Sequence, residues 1–211
     1  MRKGNFIVFE GVNGCGKSTQ LHIFIKNLYE SDKSRTIFVT REPNEFSEYG
    51  KLAREMLSAD GDPYLNQLKA MEYFTEARIV HNDIFLPLLE KGIDVISDRY
   101  YHSTFAFQHA QGISYEEIAE RSKKVKIPDI TFILDLPIEE AYSRLVKRGD
   151  KRRKFDKNLD FLEKVRQNYR ELGTTLPQLL EDRSIIFIDG NRSIDIIAEE
   201  IWEVYRRRFP S

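Results

Sequence analysis

A chain of 211 residues, 41% hydrophobic and 32% charged, can bury one sizeable core and is short for two. Lys and Arg number 33 against 34 for Asp and Glu, so a formal net charge of −1 supplies no global positive field of the kind that coats nucleic acid. The single cysteine, Cys15, excludes an intrachain disulfide framework and fits a reducing cytoplasm, and the lack of any run of about 18 apolar residues excludes a transmembrane helix.

The opening MRKGNFIVFE has only a short apolar run before Glu10, which is not the pattern of a signal peptide. Phe6–Phe9 is the first of five short apolar runs; the others are Thr36–Val39, Val95–Ser97, Ile130–Leu134 and Ile185–Ile188. Such continuous β-branched and aromatic runs suit a parallel sheet covered on both faces. Helical patterns alternate with them. Leu21, Phe24, Ile25 and Leu28 form one apolar stripe, and Tyr64 to about Leu89 predicts a long helix bent near Pro87. Ala141, Leu145 and Val146 mark a helix entered after Pro137, and Ile197, Ile201 and Val204 fall in register on a last helix, Ile194–Tyr205. The alternation predicts an α/β fold with right-handed crossovers, in one domain spanning 1–211. Ligands then belong at the carboxyl ends of the strands.

Between the first strand and first helix the chain reads Gly11, Val12, Asn13, Gly14, Cys15, Gly16, Lys17, Ser18, followed by Thr19. This is G-x-x-x-x-G-K-[ST] in the strand-to-helix context that gives the pattern its meaning. The glycines let backbone N–H groups turn inward around a phosphate, and the helix N-terminus adds its dipole. Lys17 is expected to reach the β- and γ-phosphates and Ser18 to bind Mg²⁺ brought with ATP. No N-K-x-D string of the guanine-reading kind occurs, which favours a kinase over a GTPase. Cys15 lies ahead of a helix N-terminus, a setting that favours thiolate and predicts inactivation by alkylation.

Three clusters follow. Arg41-Glu42-Pro43 ends the second strand run, and Asp98-Arg99-Tyr100 ends the third. Between them Phe74 and Arg78 stand one helical turn apart on the same face, an aromatic surface beside a fork of donors suited to reading a nucleobase. The histidines show no zinc spacing with the lone cysteine.

The order G-K-S-T, R-E-P, F-x-x-x-R, D-R-Y-x-x-S-T-x-A-x-Q resembles the thymidylate kinase family across nearly the whole chain. The resemblance implies a P-loop NTPase fold of adenylate-kinase type, a parallel five-stranded sheet with helices on both faces and a small basic lid at about 148–156. It also implies transfer of the γ-phosphoryl of ATP to dTMP. Phe74 would stack on thymine, Arg78 would donate to a base carbonyl, and Thr104 and Gln108 would hydrogen-bond the base. Arg54 and Arg99 would hold the acceptor phosphate, with Arg41, Glu42 and Phe107 beside them. Asp98 would stand at the metal and phosphate site. Arg144 would pack against adenine opposite the loop Asp189-Gly190-Asn191-Arg192, where Asn191 would contribute. By analogy the chain would form a homodimer through its long helices.

The segment Arg148 to Lys154 reads R-G-D-K-R-R-K. Some relatives carry a catalytic arginine where this chain has Gly14, and those without it resemble this chain in drawing arginines from the lid. Arg148 and Arg153 are the candidates, with Arg152 and Lys154 near equivalents; such a group contributes about 10³–10⁵ in rate. Three departures bear on the acceptor. Asn13 stands where the family usually has a carboxylate near the sugar 3′-hydroxyl, so Asn13→Asp is expected to help. Phe107 replaces a usual tyrosine, and Asn44 and Glu45 replace two glycines. A kinase of another nucleoside monophosphate or of a deoxynucleoside, or a non-catalytic nucleotide-binding regulator, are the competing readings.

Overall fold

The computed structural model describes residues 3–59, 62, 64–149 and 155–210. Its elements run β1 (Phe6–Glu10), α1 (Lys17–Ser31), β2 (Ile37–Arg41), α2 (Glu48–Ser58), α3 (Gln67–Glu90), β3 (Asp94–Asp98), α4 (Tyr101–Ala110), α5 (Tyr115–Ser122), β4 (Ile130–Asp135), α6 (Ile138–Lys147), a 3₁₀ turn (Phe155–Lys157), α7 (Leu159–Leu179), β5 (Ile185–Asp189) and α8 (Ile194–Arg208). The five strands form one all-parallel sheet in the order β2-β3-β1-β4-β5.

β1 shows why the apolar runs are continuous. Every residue of Phe6–Glu10 is buried, and successive side chains point to opposite faces. Phe6 meets Phe85 of α3 and Tyr100, while Phe9 meets Phe24 of α1 and Phe132 of β4. Both faces are therefore covered, α1 and α8 packing together and α4 packing on α3 and α7. Each fully buried phenylalanine contributes about 1.5–3 kcal/mol of transfer free energy. Two carboxylates, the part-exposed Asp129 and the buried Asp94, fix where the central strands begin. Asp129 accepts from the Phe6 amide at 2.7 Å, and Asp94 accepts from the Asn5 amide at 2.8 Å and from Arg35 at 3.0 Å.

The predicted strands all occur, and β2 reaches two residues further than its apolar run, ending on Arg41. The long helix starts at Gln67 and continues through Pro87, because that proline falls in the last turn, where only one backbone hydrogen bond is lost. In α6, Ala141 and Leu145 are buried but Val146 is 53% exposed, so it is off the packed face. Among the described residues no helix is long and apolar enough to cross a membrane.

Candidate active site

The phosphate loop joins β1 to α1. Gly16 caps α1 at φ 100, and no acidic side chain occupies the first helical turn, so the helix N-terminus is open to an anion. Gly14 has φ +84, and a Cβ there would lie 2.3 Å from the carbonyl oxygen of Ala141. The backbone of α6 thus excludes any side chain at position 14, an arginine above all. Lys17 is buried and donates to the carbonyls of Gly11 and Val12 at 3.0 Å each. Burial, and then the charge of Arg99, pull its pKa below the ordinary lysine value. An incoming phosphate would relieve both costs.

At the next residue, the Ser18 hydroxyl donates to Asp98 Oδ2 at 3.2 Å, joining the start of α1 to the end of β3. Both are hard oxygen donors. Among the described residues no group of three or more His, Cys, Asp or Glu could hold an ion alone. That fits Mg²⁺, which takes one or two protein oxygens and draws the rest from phosphates and water. Cys15 corrects the sequence expectation: its side chain is fully buried, with Sγ 3.8 Å from Lys17 Nζ, so it is no accessible alkylation target.

The side expected to take the acceptor holds a group of buried side chains. Arg78 donates through Nε to Glu42 Oε2 at 2.6 Å and through Nη2 to Thr104 at 3.2 Å. Glu42 Oε1 meets His81 Nδ1 at 3.0 Å, and His81 Nε2 meets the Thr40 hydroxyl at 3.0 Å. A carboxylate only accepts, so the imidazole proton belongs on Nδ1. Both oxygens of Glu42 are therefore committed inside the protein. Glu42, expected at the substrate, also orients Arg78. The remaining Arg78 nitrogen, Nη1, is buried with no partner among the described residues. Phe74, one turn earlier, is half-buried and is not among the described side chains packed in the core. Gln108 is buried and its amide nitrogen donates to Gln111 at 2.9 Å.

Arg99 holds an uncommon backbone conformation for a non-glycine residue, φ 73, at the β3–α4 turn. Its guanidinium donates to Ser103 at 3.0 Å, to the Tyr169 hydroxyl at 3.2 Å and to Asn13 Oδ1 at 2.8 Å. It also lies 5.8 Å from the Phe107 ring centroid. Behind it, Glu10 accepts from the Ser103 hydroxyl at 2.8 Å and from Tyr169 at 2.9 Å. Burial, and then Glu10, push the Tyr169 phenol well above its ordinary pKa, so it stays a donor. Arg54 on α2 lies 4.0 Å from Glu45, one of the residues in the glycine places, and Arg41 is exposed at the end of β2.

On the other side of the phosphate loop, Arg144 donates to the Gly190 carbonyl at 3.1 Å, which brings α6 to the loop after β5 as expected. Asn191 is exposed there, its amide donating to Asp189 at 2.9 Å. Arg148 is exposed at the end of α6. Arg152, Arg153 and Lys154 lie outside the described residues.

Sequence reasoning missed Glu10, His81, Tyr169 and Asp156. Glu10, a carboxylate directly ending an apolar strand run, carried a signal; His81 is one turn beyond Arg78 and shares its face.

Comparisons with known proteins give the family and the fold. A family model described as thymidylate kinase matches residues 9–201. A thymidylate kinase of Leptospira borgpetersenii is 35% identical over 212 residues, covering 99% of this chain and 97% of that protein. A probable thymidylate kinase of Pyrococcus horikoshii is 32% identical over 200 residues, covering 93% and 95%. Among solved structures, the Candida albicans thymidylate kinase is 25% identical with a TM-score of 0.79, covering 97% of this chain and 92% of that one. The Ehrlichia chaffeensis thymidylate kinase is 27% identical with a TM-score of 0.74, covering 96% and 99%. The family model spans most of the chain, and the relatives and solved structures cover it nearly end to end, so the chain belongs to the thymidylate kinase family and is a nucleoside monophosphate kinase with the P-loop NTPase fold.

Proposed function

We propose that the enzyme transfers the γ-phosphoryl of ATP to dTMP, giving ADP and dTDP, and that the residues divide between the two substrates as follows. The loop amides from Gly11 to Ser18, with Thr19, hold the donor phosphates, and Lys17 moves from the loop carbonyls to the transferring group. Ser18 and Asp98 would hold Mg²⁺, whose chemistry is to neutralise charge on the phosphate oxygens. Arg144 and Asn191 flank adenine. Arg148 and Arg153 stabilise charge as the phosphoryl moves. Arg54 and Arg99 hold the acceptor phosphate, with Arg41 at the rim.

The observation that carries the acceptor assignment is Arg78 Nη1. A buried guanidinium held on two sides by Glu42 and Thr104 keeps one donor nitrogen without a partner among the described residues, one helical turn from Phe74. A pyrimidine carbonyl satisfies that donor while its ring stacks on Phe74, and Phe107 closes the sugar side. Leaving such a donor unpaired costs about 1–3 kcal/mol, so the site favours a ligand that fills it. Several donors for the acceptor phosphate favour a monophosphate over a free nucleoside.

A cytoplasmic homodimer is part of this reading, by analogy with the family; Phe46, Tyr49 and Ile84 leave apolar surface exposed on the α2–α3 side. The activity is tested by ADP release across a panel of nucleosides and monophosphates. dTMP is expected to be the best acceptor, dUMP weaker by roughly tenfold or more, and purine monophosphates poor; one methyl is worth about 1–3 kcal/mol. A faster rate with dGMP, dCMP or thymidine at equal concentration would overturn the assignment.

A further inference from the structure

The Asn13 side chain makes two opposite contacts. Its amide oxygen accepts from Arg99 Nη2 at 2.8 Å, and its amide nitrogen donates to Asp156 Oδ1 at 2.9 Å. The two neighbours fix which way the amide points, since a flipped amide would face donor to donor and acceptor to acceptor. Asp156 is 3% exposed, in the 3₁₀ turn that leads into α7. That turn is seated independently: the Phe155 ring packs on Phe107 and Phe161, with centroids 5.5 and 5.4 Å away, and Asn158 caps α7 through the Phe161 amide. Asn13 therefore lies between a fixed cation and a fixed carboxylate.

This arrangement reverses the sequence expectation. An aspartate at 13 would still accept from Arg99, but it would set one carboxylate oxygen against another at hydrogen-bond distance, where two ionised groups cannot coexist without a large cost. An alanine would leave both neighbours without this partner. Only an amide of this length serves both.

We propose that Asn13 is a positioning residue, bridging Arg99 to Asp156 and so fixing the Arg99 guanidinium where the acceptor phosphate arrives, with Asp156 as the far anchor of that bridge. The phosphate loop thus acts on both substrates: its backbone faces the donor, while this one side chain sets the geometry of the acceptor arginine. The contacts to Ser103 and Tyr169 hold one edge of Arg99; the Asn13–Asp156 bridge holds the other. The inference deepens the kinase reading above and rests on it.

The test is a reciprocal swap in the full-length protein: wild type, Asn13→Asp, Asp156→Asn, and the double variant. In the double variant the carboxylate at 13 accepts from Arg99 and from the new amide at 156, restoring both contacts with the charge moved. Asn13→Asp is expected to lose at least tenfold in kcat/KM for dTMP, and Asp156→Asn less, because its amide oxygen can still accept from Asn13; the KM for ATP is expected to change less than twofold in both. The double variant is expected to return to within about threefold of wild type. Losses that multiply in the double variant, or an Asn13→Asp protein as active as wild type or better, would overturn the proposal. If a single variant unfolds, the double variant decides: wild-type activity and thermal midpoint support the bridge, and failure in both contradicts it. The ratios among the four proteins hold for whichever monophosphate is the best acceptor, so an error in acceptor identity is distinguishable from an error in the bridge.

Discussion

The donor end and the acceptor end of this site are made of different material. The part proposed to hold the donor phosphates is one contiguous segment, Gly11–Ser18, whose backbone amides are set by glycine conformations and a helix terminus, with the Lys17 and Ser18 side chains beside them and Asn13 turned toward Arg99. The proposed acceptor end gathers side chains from β2, α3, the β3–α4 turn, α4 and α7, joined by buried and part-buried hydrogen bonds. Phosphate is the same in every nucleoside triphosphate, so a backbone cradle suffices. A particular base and sugar need donors at fixed points, and fixed points need a supporting shell.

The two ends should break differently. The largest effect belongs to the donor end. Lys17→Ala is expected to lower kcat by about 10²–10³, the usual loss when one preorganised electrostatic contact to the reacting group is removed. Equilibrium binding of dTMP alone should change less than threefold, which calorimetry of the variant would check. A comparable loss of dTMP affinity would mean that the ends are not separable.

A smaller effect sharpens the comparison from outside both ends. Asp182 is buried and accepts from Tyr101 at 2.5 Å, from His102 at 3.0 Å and from the Ser184 amide at 2.8 Å. Burial works against its charge, but the His102 interactions and the other hydrogen bonds outweigh it and hold the carboxyl well below the usual aspartate range. A depressed pKa contributes stability that is present above the unfolded-state value and lost as pH falls through the folded-state value. Urea unfolding between pH 6 and pH 3 should therefore show the wild type losing stability toward acid more steeply than Asp182→Asn. The kcat/KM for dTMP at neutral pH should stay within about twofold. Parallel stability curves would contradict the assignment.

The same contrast explains what was legible in the sequence. The phosphate loop, the strands and helices α1, α3, α6 and α8 were read from local patterns, while α2, α4, α5 and α7 were not; a contiguous motif carries its own geometry. Phe74 with Arg78 was legible because four residues on a helix share a face. The relay of Thr40, His81, Glu42 and Arg78 was not, because it needs β2 set beside α3, a fact of topology with no sequence period. α7 did carry a signal: Phe161, Leu162, Val165, Tyr169, Leu172 and Leu176 fall on one buried face. Its contribution, the Tyr169 hydroxyl behind Arg99, could be seen only once α7 was packed on α4. Asn13 was noticed as a departure, and its meaning waited on Asp156, 143 residues away in the chain.

The central claim is that acceptor recognition is set by a buried side-chain relay distinct from the donor cradle, and Glu42→Gln tests it most directly. The substitution keeps shape and removes the charge that orients Arg78, which leaves a buried guanidinium without its carboxylate. Titration calorimetry of dTMP and ATP, each on wild type and variant, gives the answer in four affinities. The account predicts that dTMP binding weakens by about tenfold or more, the scale of about 1.4 kcal/mol, while ATP binding stays within twofold. Equal weakening of both ligands, or unchanged dTMP affinity in a folded variant, would contradict it.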